Sequence, residues 1–122
     1  MHQPVFKILS VDHSENSLIA MLAVDESSEI FKGHFPGQPV APGACMLQTV
    51  KEIVAEALDA PIRLAKADNI KFLNMVTPDV LNLMLRINYN SVDDQVKISA
   101  DLTSGEQVFM KLQGVFSIIN VG

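Results

Sequence analysis

Side chains suited to catalysis are scarce in this chain. Among 122 residues there is one cysteine (Cys45), one tyrosine, no tryptophan and three histidines, His2, His13 and His34. A lone cysteine cannot close an internal disulfide, and the histidines are too widely spaced, with no second thiol, to make a zinc motif. No metal or other cofactor is expected, and a reducing, cytoplasmic setting is the default. Basic residues are also few. Nine Lys and Arg stand against 14 Asp and Glu, a net charge of -5, and they scatter from Lys7 to Lys111 without a run or an aromatic ladder. Nucleic acid is therefore not an expected partner. Long hydrophobic segments are missing as well. The longest apolar run, Leu18 to Val24, has seven residues, far short of a membrane span, and the opening Met-His-Gln-Pro lacks the basic-then-apolar layout of a signal peptide. A soluble, unprocessed chain that does not engage a membrane is expected.

What is present fits one compact domain over residues 1–122, with 48% hydrophobic and 19% charged residues around a single core. Apolar residues from Val5 to Val11 and from Leu18 to Val24 flank the turn formers Asp12 to Asn16, which predicts a β-hairpin. Asp25 to Lys32 is a polar connection. Gly33 to Gly43, GHFPGQPVAPG, holds three of the six prolines and three of the six glycines in 11 residues, a density that no helix or central strand tolerates. It reads as a stiff, shaped loop.

Directly after it, Ala44 to Leu58 places apolar residues at 46, 47, 50, 53, 54, 57 and 58, the spacing of a helix buried along a broad face. Ala60-Pro61 should end it, because proline lacks a donor and disfavours helix in the residue before it. The remainder reads as strands: Ile62 to Val76, Val80 to Tyr89, Gln95 to Leu102 and Gln107 to Asn120. Turns are expected at Thr77-Pro78-Asp79, around Asn90 to Asp94 and at Ser104-Gly105-Glu106. Leu81, Leu83, Leu85, Ile87 and Tyr89 alternate with polar residues, as do Val96, Ile98, Ala100 and Leu102. The last strand is apolar on both faces in places, as a central strand or one at an oligomer interface would be. With one long apolar helix to cover, the economical architecture is α+β, a curved antiparallel sheet wrapped around that helix.

Gly33-His34-Phe35-Pro36, followed by Pro39-Val40 and by Pro42-Gly43 opening an apolar helix, resembles the signature of the β-hydroxyacyl-acyl carrier protein dehydratases of the hotdog fold. The strand, Thr-Pro turn and strand from Ala67 to Tyr89 and the two final strands resemble the layout of that family too. The resemblance implies a hotdog fold, a homodimer with two sites at the subunit interface, and often a trimer of dimers. It implies acyl chains on acyl carrier protein or coenzyme A thioesters as substrates. His34 would take a proton from C2 of a 3-hydroxyacyl thioester, Gly43 N–H would bind the thioester oxygen, and Phe35 and Ala44 would lie beside the substrate. An acidic residue on the partner's helix would help the 3-hydroxyl leave.

The chemistry supports these roles independently. Elimination needs a base of near-neutral pKa, which an imidazole supplies. The developing oxyanion needs donors fixed in advance, and the N–H groups at a helix start provide them. A glycine there lets a carbonyl approach closely. The resemblance implies an acid fourteen residues after His34, and that position is occupied here by Gln48. A carboxamide is nearly isosteric with a carboxylic acid and hydrogen-bonds a hydroxyl, yet it cannot deliver a proton at physiological pH. Losing a general acid costs about 10²- to 10⁴-fold in rate. Glu52 follows one helical turn later on the same face, about 6 Å along the axis, and a heterodimer partner could also supply the acid.

Three functions are open on these grounds: a weakened dehydratase, a thioesterase in which Gln48 positions a water, and a non-catalytic acyl-carrier-binding subunit. Cys45 reads as a small buried apolar residue, the six methionines as core filler, and Asp12-His13-Ser14 as turn residues rather than a triad. Lys32, Arg63, Lys66 and Lys71 are candidates for a carrier-protein patch, with solvated scattered charge as the default.

Overall fold

The computed structural model describes residues 6–25, 43–77 and 79–119, with Ala44 by its backbone only. The elements run β1 (Phe6–Ser14), β2 (Ser17–Val24), α1 (Gly43–Leu58), β3 (Ile62–Phe72), β4 (Leu83–Val92), β5 (Gln95–Ser104) and β6 (Gln107–Ile118). The strands form one six-stranded sheet in the order β1-β2-β4-β5-β6-β3, and every neighbouring pair is antiparallel. Between β2 and β3 the chain passes from one side of the sheet to its opposite edge, and α1 lies on that path. Sixteen helical residues extend about 24 Å, enough to cross the roughly 19 Å between β2 and β3 set by four strand spacings.

The apolar face of α1 makes this crossing stable. Met46, Val50, Ile53 and Val54 are buried, and they share one core cluster with the inward residues of the sheet, Leu18, Ala20 and Leu22 of β2, Leu83, Leu85 and Ile87 of β4, and Val96, Ile98 and Leu102 of β5. Each large apolar side chain removed from water contributes about 1.5–3 kcal/mol, so this one face of the helix is enough to hold it on the sheet. The C-terminus of α1 is closed by Asp59 at φ 52°, with Asp59 N–H donating to the Glu56 carbonyl at 3.2 Å and Ala60 N–H to the Ala55 carbonyl at 3.1 Å. These two bonds are the Schellman pattern, completed just before Pro61. The expected α+β hotdog architecture, a curved antiparallel sheet around a helix, is the one observed, with a single helix among the described residues.

Both edge strands are irregular. β1 carries an extra residue at Leu9, and β3 carries extra residues at Ala65 and Asp68; such bulges bend a strand and increase its twist. Both strands are edges, where bulges also disfavour pairing with stray chains. β6, lying between β5 and β3, carries Phe109 as an extra residue against β5, which is why Phe109 and Met110 are buried side by side. From Met110 to Gly114 it alternates, with Lys111 and Gln113 exposed, so the two-faced apolar pattern expected from the sequence is confined to the bulge and the strand end.

Several boundaries differ from the sequence expectation. The first hairpin turns over Glu15 and Asn16 only, so Asp12, His13 and Ser14 belong to β1 instead of the turn. β3 ends at Phe72 instead of Val76, and β4 begins at Leu83 instead of Val80. Leu81 is 74% exposed and Asn82 has φ 58°, a left-handed residue that breaks the strand alternation at that point. β4 extends past Tyr89 to Val92, and its turn is confined to Asp93 and Asp94.

Candidate functional site

α1 begins at Gly43, the last residue of the Gly- and Pro-rich motif. Backbone N–H groups in the first turn of a helix have no acceptor within the helix and sit at the positive end of its dipole. No acidic side chain occupies the first turn of α1 to compete for them. The position tolerates nothing larger than glycine without movement, because a Cβ on Gly43 would lie 2.6 Å from Cζ of Phe72 and 2.9 and 3.0 Å from two other atoms of that ring. Phe72, the last residue of edge strand β3 and about half exposed, therefore rests directly against the start of the helix. Sequence reasoning did not single out Phe72, because it ran this strand on to Val76 and so did not place Phe72 at a strand end beside the helix start.

Gln48 is half-buried, and its Nε2 donates to Oε1 of Glu52 at 3.2 Å. One turn earlier, Thr49 Oγ1 donates to the Cys45 carbonyl at 2.9 Å. Cys45 is a partly buried free thiol, and burial pushes its pKa up. A raised pKa removes the thiolate that a nucleophile would need, consistent with the apolar reading of this residue.

Of the five residues assigned from the sequence, Gly43, Ala44 and Gln48 lie on α1, whereas His34 and Phe35 fall outside the described residues. Gly43 and Gln48 do not share a helix face: five residues apart, they are separated by about 140° around the axis and about 7.5 Å along it. A single ligand atom therefore does not meet both from one chain.

His13 is committed elsewhere. Its Nε2 lies 2.6 Å from Oη of Tyr89, the same hydroxyl donates to the Glu15 carbonyl at 3.2 Å, and the two rings stand 5.9 Å apart. This clasp ties the tip of the β1–β2 hairpin to β4. Among the basic residues considered for a docking patch, Lys32 is outside the described residues, while Arg63, Lys66 and Lys71 are exposed on β3. Lys66 pairs with Asp68 at 3.3 Å, and Lys71 lines a shallow polar groove of about 380 Å³ with Arg86, Asp101 and Lys111. Among the described residues no helix is long and apolar enough to cross a membrane.

Comparison with known proteins identifies the family and the fold. The chain is 33% identical over 93 residues to the 3-hydroxyacyl-[acyl-carrier-protein] dehydratase FabZ of Lactococcus lactis, which covers 69% of this chain and 62% of that protein. With the enzyme of the same name from Legionella pneumophila it shares 32% identity over 116 residues, 77% of each chain. Among solved structures, the dehydratase heterocomplex ApeI:P from Xenorhabdus doucetiae superimposes with a TM-score of 0.71 at 21% identity, covering 93% of this chain and 97% of that one. An uncharacterized protein from Erwinia carotovora gives a TM-score of 0.65 at 23% identity, covering 98% of both chains. These two likenesses establish the fold. A family profile described as ApeI-like, ApeI dehydratase, matches residues 10–111, and the chain belongs to that family of hotdog dehydratases.

Proposed function

We propose that this chain converts (R)-3-hydroxyacyl thioesters, carried on acyl carrier protein or coenzyme A, into trans-2-enoyl thioesters in fatty acid or related lipid biosynthesis. His34 takes the proton from C2, and the electron pair released forms the C2–C3 double bond as the C3–O bond breaks. The thioester oxygen, on which negative charge develops, is held by Gly43 N–H, with Phe35 and Ala44 beside the substrate. The hydroxyl leaves as water by taking up the proton that His34 removed from C2, returned directly or through a solvent water, so that His34 ends neutral as it began. Only protons and a hydroxyl move, so the reading uses no cofactor. Gln48 hydrogen-bonds the departing hydroxyl without protonating it, and the loss of a general acid lowers the rate by about 10²- to 10⁴-fold.

The observation that supports this reading is that α1 starts at Gly43, the last residue of the sequence motif that contains His34, in a chain whose family is named for dehydration. Gly43 and Gln48 lie on different faces of α1, which favours a site completed by two chains. A homodimer, or a trimer of such dimers, would bring Gln48 of one protomer to His34 of its partner. A heterodimer would serve equally if its other chain supplied a carboxyl group, and the likeness to a protein solved as a heterocomplex supports testing that arrangement.

The test follows enoyl product and free thiol from a 3-hydroxyacyl thioester for wild type, His34→Ala and Gln48→Glu. The expected result is enoyl formation that is lost in His34→Ala and rises in Gln48→Glu. Free thiol without enoyl would replace this reading with a thioesterase. Silence from every variant, with carrier protein still bound, would leave a binding subunit.

A further inference from the structure

The carboxamide of Gln48 has a hydrogen-bond partner on the surface of α1. Its Nε2 donates to Oε1 of Glu52, 3.2 Å away and four residues on, the separation at which two helical side chains face each other. A carboxylate is an acceptor only, whereas an amide offers two donors on nitrogen and two lone pairs on oxygen. The pair can therefore form in one sense. In this arrangement one N–H of Gln48 goes to Glu52, and the other N–H and both lone pairs of Oε1 remain for a ligand. An ionised acceptor also makes a stronger hydrogen bond than a neutral one.

We propose that Glu52 is a positioning residue that acts through Gln48, holding its carboxamide in a single orientation at the place where the family reading requires an acid. The inference rests on the dehydratase reading above and deepens it. A neutral amide with no fixed partner would sample several rotamers, and the substrate hydroxyl would have to select one of them. Glu52 removes that cost in advance, which is the general benefit of an oriented group over a mobile one. Glu52 does not touch the reacting atoms in this scheme, and no proton passes through it.

The pair also predicts how substitution at position 48 behaves. Gln48→Glu alone would put two carboxylates within hydrogen-bond distance, where they cannot both ionise freely and one holds its proton to higher pH. Gln48→Glu combined with Glu52→Gln exchanges the two groups, restores an amide-to-carboxylate hydrogen bond and puts the carboxyl at position 48.

The experiment measures kcat and KM for enoyl formation from a 3-hydroxybutyryl thioester of N-acetylcysteamine, using the full chain. Variants are Glu52→Ala, Glu52→Gln, Gln48→Glu, and the exchanged double substitution, with circular dichroism to confirm that each folds. Expected are a fall in kcat of about 2-fold for Glu52→Ala with KM unchanged, recovery of most of that loss in Glu52→Gln, whose carbonyl still accepts, and a double variant faster than wild type. Kinetics of Glu52→Ala equal to wild type would overturn the inference while leaving the dehydratase reading in place. A folded wild type that forms no enoyl product would overturn the reading and the inference together, and a folded Glu52→Gln as slow as Glu52→Ala would overturn the inference alone.

Discussion

Individual residues at the start of α1 are constrained by packing as well as by chemistry. A Cβ on Gly43 would overlap the Phe72 ring, so Gly43→Ala forces the ring aside or moves the helix start. Overpacking typically costs 1–3 kcal/mol, and because Phe72 is half exposed its ring can yield, which places the expected loss near the low end, about 1 kcal/mol. Urea denaturation of Gly43→Ala, Phe72→Ala and the double variant checks this: the double variant should lose less than the sum of the two single losses. The neighbouring thiol gives a second prediction. Burial raises the Cys45 pKa above its ordinary 9.0, so the fold favours the neutral thiol. Its contribution to stability is present below that ordinary value and is lost as pH rises through the folded value. Cys45 should accordingly react several-fold more slowly with a disulfide reagent at pH 8 in the folded chain than in urea.

Local register, unlike these contacts, is partly written in the sequence. The alternation of Leu83, Leu85, Ile87 and Tyr89 and of Val96, Ile98, Ala100 and Leu102 identified β4 and β5, because a sheet with one buried face imposes a period of two. The apolar spacing from Met46 to Leu58 gave α1 to within one residue for the same kind of reason. The short turns and the strand ends around Val76 to Asn82 were not legible. They depend on positive-φ residues such as Glu15, Asn82 and Asp93, none of them glycine, and on pairing partners far along the chain. The bulges were equally hidden, and one of them explains Gly114. A Cβ there would stand 2.7 Å from the Lys66 carbonyl oxygen, beside the extra residue Ala65 on the paired strand. Backbone cannot swing aside as a ring can, so Gly114→Ala should cost about 2–3 kcal/mol, seen as a lower urea midpoint with unchanged slope. Tyr89→Phe, which removes the hydroxyl shared by His13 and Glu15, should cost about 0.5–1.5 kcal/mol in the same measurement.

At the scale of the whole molecule, the candidate site was legible only as a motif. The loop letters and helix spacing identified the family, but the Gln48–Glu52 hydrogen bond and the Phe72 contact required three-dimensional placement of side chains that the letters do not encode. The surface adds a feature of its own. Phe72, Leu73, Met75 and Leu81 are 50–74% exposed, and hydrogen bonds gather the last three near one end of the β5–β6 hairpin: Leu73 N–H donates to the Phe109 carbonyl at 2.8 Å, Asn74 Nδ2 to that of Val108 at 2.7 Å, and Ser104 Oγ to that of Leu81 at 2.6 Å. Clustered exposed apolar side chains mark interaction surfaces, and this cluster adjoins the end of edge strand β3, beside Gly43. The proposed two-chain site requires a partner at this end of the helix. Sedimentation of the purified chain should therefore show a dimer or a multiple of it rather than a 13.3 kDa monomer. Leu73→Lys with Met75→Lys, both on solvent-facing positions of the protomer, should shift the population toward monomer while leaving far-ultraviolet circular dichroism unchanged. Enoyl formation should fall in proportion to the dimer lost, because each protomer would then hold His34 without the Gln48 of its partner. A monomeric variant with full activity would show that one chain completes the site alone.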